Sequence, residues 1–166
     1  AQLFSAFINA ADLPGQALSW IQSLDLSAMG VMAIILLFYI AFGCVFSAFA
    51  LVLLTVPVFF PLVAGLGLDV AFGTTPENIL IWFGIVIVVV AEIGQITPPI
   101  GMNVFVLKSM LPDVELSTIF KGIMPFFGAD LVRLALIVLF PATVLVLPDY
   151  MDQMQDQLDV LLESVF

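Results

Sequence analysis

Residues 91–103 read AEIGQITPPIGMN, and the fold follows from how that stretch is read. Pro98 and Pro99 have no backbone N–H, and each disfavours the α conformation in the residue before it. Gly94 and Gly101 bracket them. A single helix cannot pass unbroken through Thr97-Pro98-Pro99-Ile100-Gly101. Yet both flanks are apolar, with Ile85-Val86-Ile87-Val88-Val89-Val90 on one side and Val104-Phe105-Val106-Leu107 on the other. The expectation is a membrane helix interrupted at 94–101, whose half-helix ends turn dipoles and free carbonyls into the bilayer's middle.

Composition makes lipid the solvent. Of 166 residues, 63% are apolar and 10% charged, with 3 Lys+Arg against 13 Asp+Glu, no His and one Cys. Soluble domains average about half apolar and a quarter charged, and a globule of this size cannot hide so much apolar surface behind so few charges. Soluble enzymes and disulfide-stapled modules are excluded. Three basic residues cannot neutralise a row of phosphates, so nucleic acid is not a partner. The usual zinc and Ser-His-Asp chemistries lack their His.

Working outward toward the N-terminus, no charge lies between Asp25 and Asp69, a gap about twice the roughly 20 residues one span needs. Its middle, Phe42-Gly43-Cys44-Val45-Phe46-Ser47, permits a turn but carries nothing strongly polar. A turn emerging into water normally bears Asn, Asp, Lys or Pro. Residues 26–68 therefore read as a re-entrant helical hairpin with arms near 27–42 and 48–64, reversing inside protein. Two ordinary spans with a poorly polar loop are the alternative. Residues 1–25 form an arm of two short helices separated at Leu13-Pro14-Gly15, with Asp12 near a cap, Pro14 in a first turn and Trp20 as an interfacial anchor. Residues 65–78 are an aqueous loop, and Thr75, Pro76 and Asn78 fit the cap, first and third positions of a new helix. The segment 69–111 is thus a loop followed by the discontinuous helix.

Toward the C-terminus, 112–148 holds a polar connection with a short helix near 115–121 and a last span over 123–147, Pro125 near its start and Pro141 inside it. In the tail, 149–166, Asp149, Asp152, Asp156, Asp159 and Glu163 share one helix face, with Met151, Met154, Leu158, Leu161, Leu162 and Val165 opposite. An acidic face is wrong for anionic lipid. It reads as a solvated surface helix or a docking surface for a partner protein. Lys108 and Lys121 flank one loop and Arg133 lies just beyond, so the positive-inside rule places 108–122 in the cytoplasm and both acidic segments outside. The chain opens at Ala1 with no basic n-region, and it reads as starting inside something larger.

Few polar groups remain for chemistry. Glu92, Gln95, Thr97 and Asn103 surround the Pro-Pro break, where carbonyls and hydroxyls can replace a small cation's hydration shell. Glu92 is a coupling carboxylate, or it sits near an interface, or it is structural glue bonded to Gln95 or Ser47. The 43–47 turn, followed by Thr55, faces the break in this reading, and helices starting near Ser47 and Gly101 offer positive ends to an anion. Thr55 alternatively bonds back to its own helix. Asp130 and Arg133 form an i,i+3 pair near the interface, with anion binding by Arg133 the other reading. No nucleophile–base pair is present, so the chain is not expected to be an enzyme.

These residues match a known pattern. Phe42-Gly43, Phe46-Ser47, Thr55-Val56-Pro57, the run Glu92-Ile93-Gly94-Gln95-Ile96-Thr97-Pro98-Pro99-Ile100-Gly101-Met102-Asn103, then Phe120-Lys121-Gly122, Pro125-Phe126, Leu131-Val132-Arg133 and Phe140-Pro141 resemble the C-terminal half of the large membrane subunit (DctM-like) of TRAP transporters. The likeness extends to about Pro148, and the acidic tail falls outside it. It implies an all-α integral membrane protein of the bacterial inner membrane, one inverted-repeat half of an elevator-type carrier, driven by sodium and needing no cofactor. Substrates would be C4-dicarboxylates and related organic acids. The implied partners are the permease's N-terminal half, a small four-helix membrane subunit and a periplasmic substrate-binding protein. Carried over by position, sodium ligands come from Gly43, Gly94, Thr97 and Gly101, and the substrate contacts are Ser47, Thr97, Pro98 and Asn103. Only one repeat is present, so the chain alone should not transport, and a truncated or split reading frame is expected. The alternatives are a proton-coupled or other anion carrier with Glu92 as proton site, or a non-transporting assembly subunit.

Overall fold

The computed structural model describes residues 6–8, 10–23, 26–98, 100–148, 150, 151, 154 and 157. Its helices are α1 (Leu13–Gln22), α2 (Ala28–Gly43), α3 (Ala48–Ala64), α4 (Leu68–Phe72), α5 (Pro76–Ile96), α6 (Met102–Met110) and α7 (Leu116–Leu139). A further helical stretch covers 142–148. No strand occurs among the described residues. Most of the acidic tail lies outside them, and so does Pro99.

Local chemistry sets the helix starts. The hydroxyls of Ser27, Ser47 and Thr75 accept from the N–H groups of Gly30, Ala50 and Asn78 at 3.2, 3.3 and 3.2 Å, capping α2, α3 and α5. Pro76 occupies the first turn of α5, where its missing N–H costs nothing. Pro14 plays that part in α1, although Asp12 caps without a side-chain bond and sits at φ 47°. Trp20 is 65% exposed on this helix.

Helix α5 is the hub. Its side chains Trp82, Phe83, Val86, Ile87, Val90 and Ile93 are all buried. Helices α2, α3 and α7 pack around it, and the two hairpin arms touch α5 far more than each other. Where they meet, the Tyr39 hydroxyl bonds to Thr55 Oγ1. Thr55 spends its own proton on the Leu51 carbonyl at 2.7 Å, so Tyr39 is the donor. Thr55 therefore bonds its own helix and clasps the hairpin rather than facing the break. Phe59 packs on Phe38 and Tyr39 at 5.5 and 5.8 Å, continuing the seam.

The C-terminal third departs from expectation. The short helix near 115–121 and the last span merge into one continuous helix, α7, which runs through Pro125 and stops at Phe140. Pro141 ends this helix instead of lying within a span that reaches 147. The proline at 141 also deprives the Ile137 carbonyl of its helical donor. The Trp82 indole replaces it, donating to Ile137 O at 2.8 Å and stitching α5 to α7. Trp82→Phe leaves that carbonyl unpaired. The expected loss is about 1–2 kcal/mol of stability, read as an earlier melting transition in lipid or detergent. An unchanged transition would show that the bond carries no net weight.

Two helices, α5 and α7, are long and apolar enough to cross a membrane. Asp130 and Arg133 pair at 3.1 Å on α7, well inside the helix rather than at its start. Lys108 Nζ donates to Pro112 O at 2.8 Å and Val114 O at 2.6 Å, fastening the connection between α6 and α7.

Candidate ion and substrate site

The break forms because two successive prolines disarm one carbonyl. In a helix, Gln95 O would accept from residue 98 or 99, and neither has an N–H. Helix α5 accordingly ends at Ile96, and Thr97 turns extended with ψ 130°. The Thr97 N–H goes to Gly94 O at 3.1 Å, and its hydroxyl donates to Ile93 O at 2.7 Å. A hydroxyl whose proton is spent this way presents only lone pairs. No described donor reaches the carbonyl of Gln95 or of Thr97.

Gly101 gathers these oxygens. It restarts the chain as the N-cap of α6 at φ 49°, a left-handed conformation that favours glycine. A Cβ there would stand 3.2 Å from both Gln95 O and Thr97 O and 3.1 Å from Val104. Two carbonyl oxygens thus converge on the one buried residue of the turn that has no side chain. Neutral carbonyl oxygens suit a hard cation of low charge. Among the described residues no group of three or more His, Cys, Asp or Glu forms an alternative metal site.

The hairpin tip docks on the last turn of α5, at Gly94. Gly43 and Gly94 are both buried and meet backbone to backbone. A Cβ on Gly94 would lie 2.7 Å from Gly43 Cα and 2.8 Å from its carbonyl carbon, and one on Gly43 would lie 3.1 Å from Gly94 Cα. The tip also keeps Cys44 buried, its thiol donating to Ala41 O at 2.9 Å.

A family profile described as "Tripartite ATP-independent periplasmic transporter, DctM component" matches residues 1–143. The chain belongs to the DctM family. It is 30% identical over 151 residues to the C4-dicarboxylate TRAP transporter large permease protein DctM of Pseudomonas aeruginosa, covering 91% of this chain and 33% of that protein. The ectoine TRAP transporter large permease protein TeaC of Halomonas elongata is 32% identical over 148 residues, 88% of this chain and 32% of its own length. The sialic acid TRAP transporter large permease protein SiaM of Vibrio cholerae is 26% identical over 147 residues, with 89% and 32% covered. The chain spans about a third of the length of the curated relatives it matches. No solved structure matches it.

Within this DctM-family chain the sequence-derived site residues separate into groups. Gly43 meets Gly94 in the last turn of α5, and the Thr97 carbonyl lies against Gly101 at the break. Ser47 is exposed and uses its hydroxyl as the α3 cap. Pro98 is exposed beside Thr97, and Asn103 is exposed in the first turn of α6 without a described hydrogen bond. Glu92 is not brought to the site. It lies on the opposite side of α5 from Gly94, exposed, and bonds neither Gln95 nor Ser47. The Tyr39 hydroxyl is the polar group that sequence reasoning passed over, because a lone Tyr in an apolar run carries no spacing signal.

Proposed function

We propose that the chain is part of a sodium-coupled, elevator-type TRAP permease that imports organic acids of the C4-dicarboxylate kind. The observation that carries this reading is the pair of carbonyl oxygens at the break, Gln95 O and Thr97 O, gathered at Gly101, with the Thr97 hydroxyl held on Ile93 O and the hairpin tip docked at Gly94. Sodium binds these neutral oxygens and ties tip to break. With the cation in place, the exposed N-termini of α3 and α6, near Ser47 and Asn103, take the substrate carboxylate. The moving unit then carries both across. Gly43 contributes close packing and a nearby backbone, and Pro98 lines the entrance.

Helix lengths support burial of this cluster in the membrane. The hairpin arms of 16 and 17 residues reach only about 25 Å, short of the roughly 30 Å hydrocarbon core. Helix α5 runs for about 31 Å and α6 adds about 13 Å, so this reading requires a steeply tilted path between the 65–78 loop and the Lys108 loop, with the break part-way along it. The inner-membrane orientation puts 108–122 in the cytoplasm and the acidic tail in the periplasm. The partners are the rest of the permease, a four-helix membrane subunit and a periplasmic binding protein.

The test is uptake of radiolabelled succinate by proteoliposomes holding the complete transporter and its binding protein. Replacing external sodium with N-methyl-glucamine should cut the rate more than tenfold at constant pH. Uptake that follows a pH gradient and ignores sodium would overturn the coupling ion. Absence of uptake, with a different organic acid carried instead, would overturn only the substrate class.

A further inference from the structure

Helix α5 has one face that nothing among the described residues covers. Helices α2, α3 and α7 occupy the rest of its circumference. Glu77, Ile81, Gly84, Val88 and Glu92 fall within an arc of about 80° at 100° per residue. Ile81 is 43% and Val88 52% exposed, and Glu92 is exposed as well. A Cβ added to Gly84 would meet nothing within 4 Å, so the stripe has a shallow notch at its centre.

The chemistry of this stripe is wrong for lipid. Glu92 lies in the last turns of an apolar helix long enough to cross the membrane. A lone carboxylate facing acyl chains is costly, and such groups face protein or water and find partners. The contrast with α7 is direct. That helix is also widely exposed, through Phe126, Val132, Leu136 and Leu139, but beyond Lys121 in its second turn its charges Asp130 and Arg133 neutralise each other at 3.1 Å. Glu92 has no partner among the described residues. Small residues at a notch let another helix come close in a membrane, where packing rather than the hydrophobic effect holds helices together.

We infer that the Ile81–Gly84–Val88–Glu92 face of α5 is the seam against a transmembrane helix of the permease part that this chain does not span, and that this helix bears a hydrogen-bond donor level with Glu92. The relatives supply the material, since about two thirds of their length lies outside the stretch matched here. The occupant is apolar, fits the notch at Gly84, and brings an amide, hydroxyl or basic group to the carboxylate. Glu92 is then an anchor between permease parts rather than a ligand. The inference rests on the family and the membrane setting and is independent of sodium coupling.

Photo-crosslinking in native membranes tests it. Benzoylphenylalanine placed at Val88 should yield, on irradiation, an adduct whose peptide maps to permease sequence outside this stretch by tandem mass spectrometry. Adducts with lipid alone, with a second copy of this stretch, with another subunit, or none at all would each overturn the seam. In the same background Glu92→Gln should keep the yield within twofold, and Glu92→Lys should lower it at least tenfold. A smaller fall with Lys would overturn the donor opposite Glu92 while leaving the packing face to be judged by the Val88 adduct.

Discussion

Gly94→Ala should separate the hairpin tip from the break and abolish sodium-dependent uptake. The added Cβ would sit 2.7 Å from Gly43 Cα and 2.8 Å from its carbonyl carbon, and these are backbone atoms that cannot swing aside. Overpacking of this sort costs about 1–3 kcal/mol. Two effects compete, because alanine is the better helix former by about 1 kcal/mol. The clash is against backbone and wins, with an expected net loss of up to about 2 kcal/mol and a fall of more than tenfold in uptake. Gly43→Ala meets its nearest atom at 3.1 Å and should be milder. Gly122→Ala on α7 meets nothing within 4 Å and serves as the control, expected to be neutral or slightly stabilising. Melting curves and uptake of the purified transporter check all three. The double variant at Gly43 and Gly94 should depart from additivity, since the two sites share one contact. Full activity of Gly94→Ala would mean that tip and break work apart.

Thr97→Val should raise the sodium concentration for half-maximal uptake at least tenfold. Valine keeps the shape but removes the hydroxyl proposed as a sodium ligand, and it also leaves Ile93 O without its 2.7 Å partner. That second loss is worth about 1 kcal/mol of stability, so the expected variant is folded but slightly weaker. Thr97→Ser restores both oxygen and donor and should lie within threefold of the parent. The decisive quantity is the sodium dependence. A slower maximal rate at unchanged sodium affinity would make Thr97 a structural hydroxyl and remove it from the site.

What the sequence disclosed depended on whether a backbone rule or a tertiary neighbour decided the outcome. Two adjacent prolines act on the chain itself, so the interruption after Ile96 could be read directly. The Thr75 cap with Pro76 behind it is equally local. The arms at Ala28–Gly43 and Ala48–Ala64 lie close to the stretches marked by the missing charges and the Gly43–Ser47 turn. Pro125 misled because one proline removes a single hydrogen bond, which a helix held by neighbours survives, and α7 continues through it. The meeting of Gly43 with Gly94 was invisible as a pair, since nothing in either segment names its partner. The direction of Glu92 was hidden for another reason. Helix α5 is apolar nearly all round, so no polar face indicates which side is covered.

The Trp82–Ile137 stitch has an optical consequence. The chain holds two tryptophans, one 65% exposed at position 20 and one fully enclosed at position 82. With Trp20 replaced by phenylalanine, the remaining emitter sits in the joint between α5 and α7, its indole N–H tied to a carbonyl. Its emission colour then reports opening of that joint, with no dye attached.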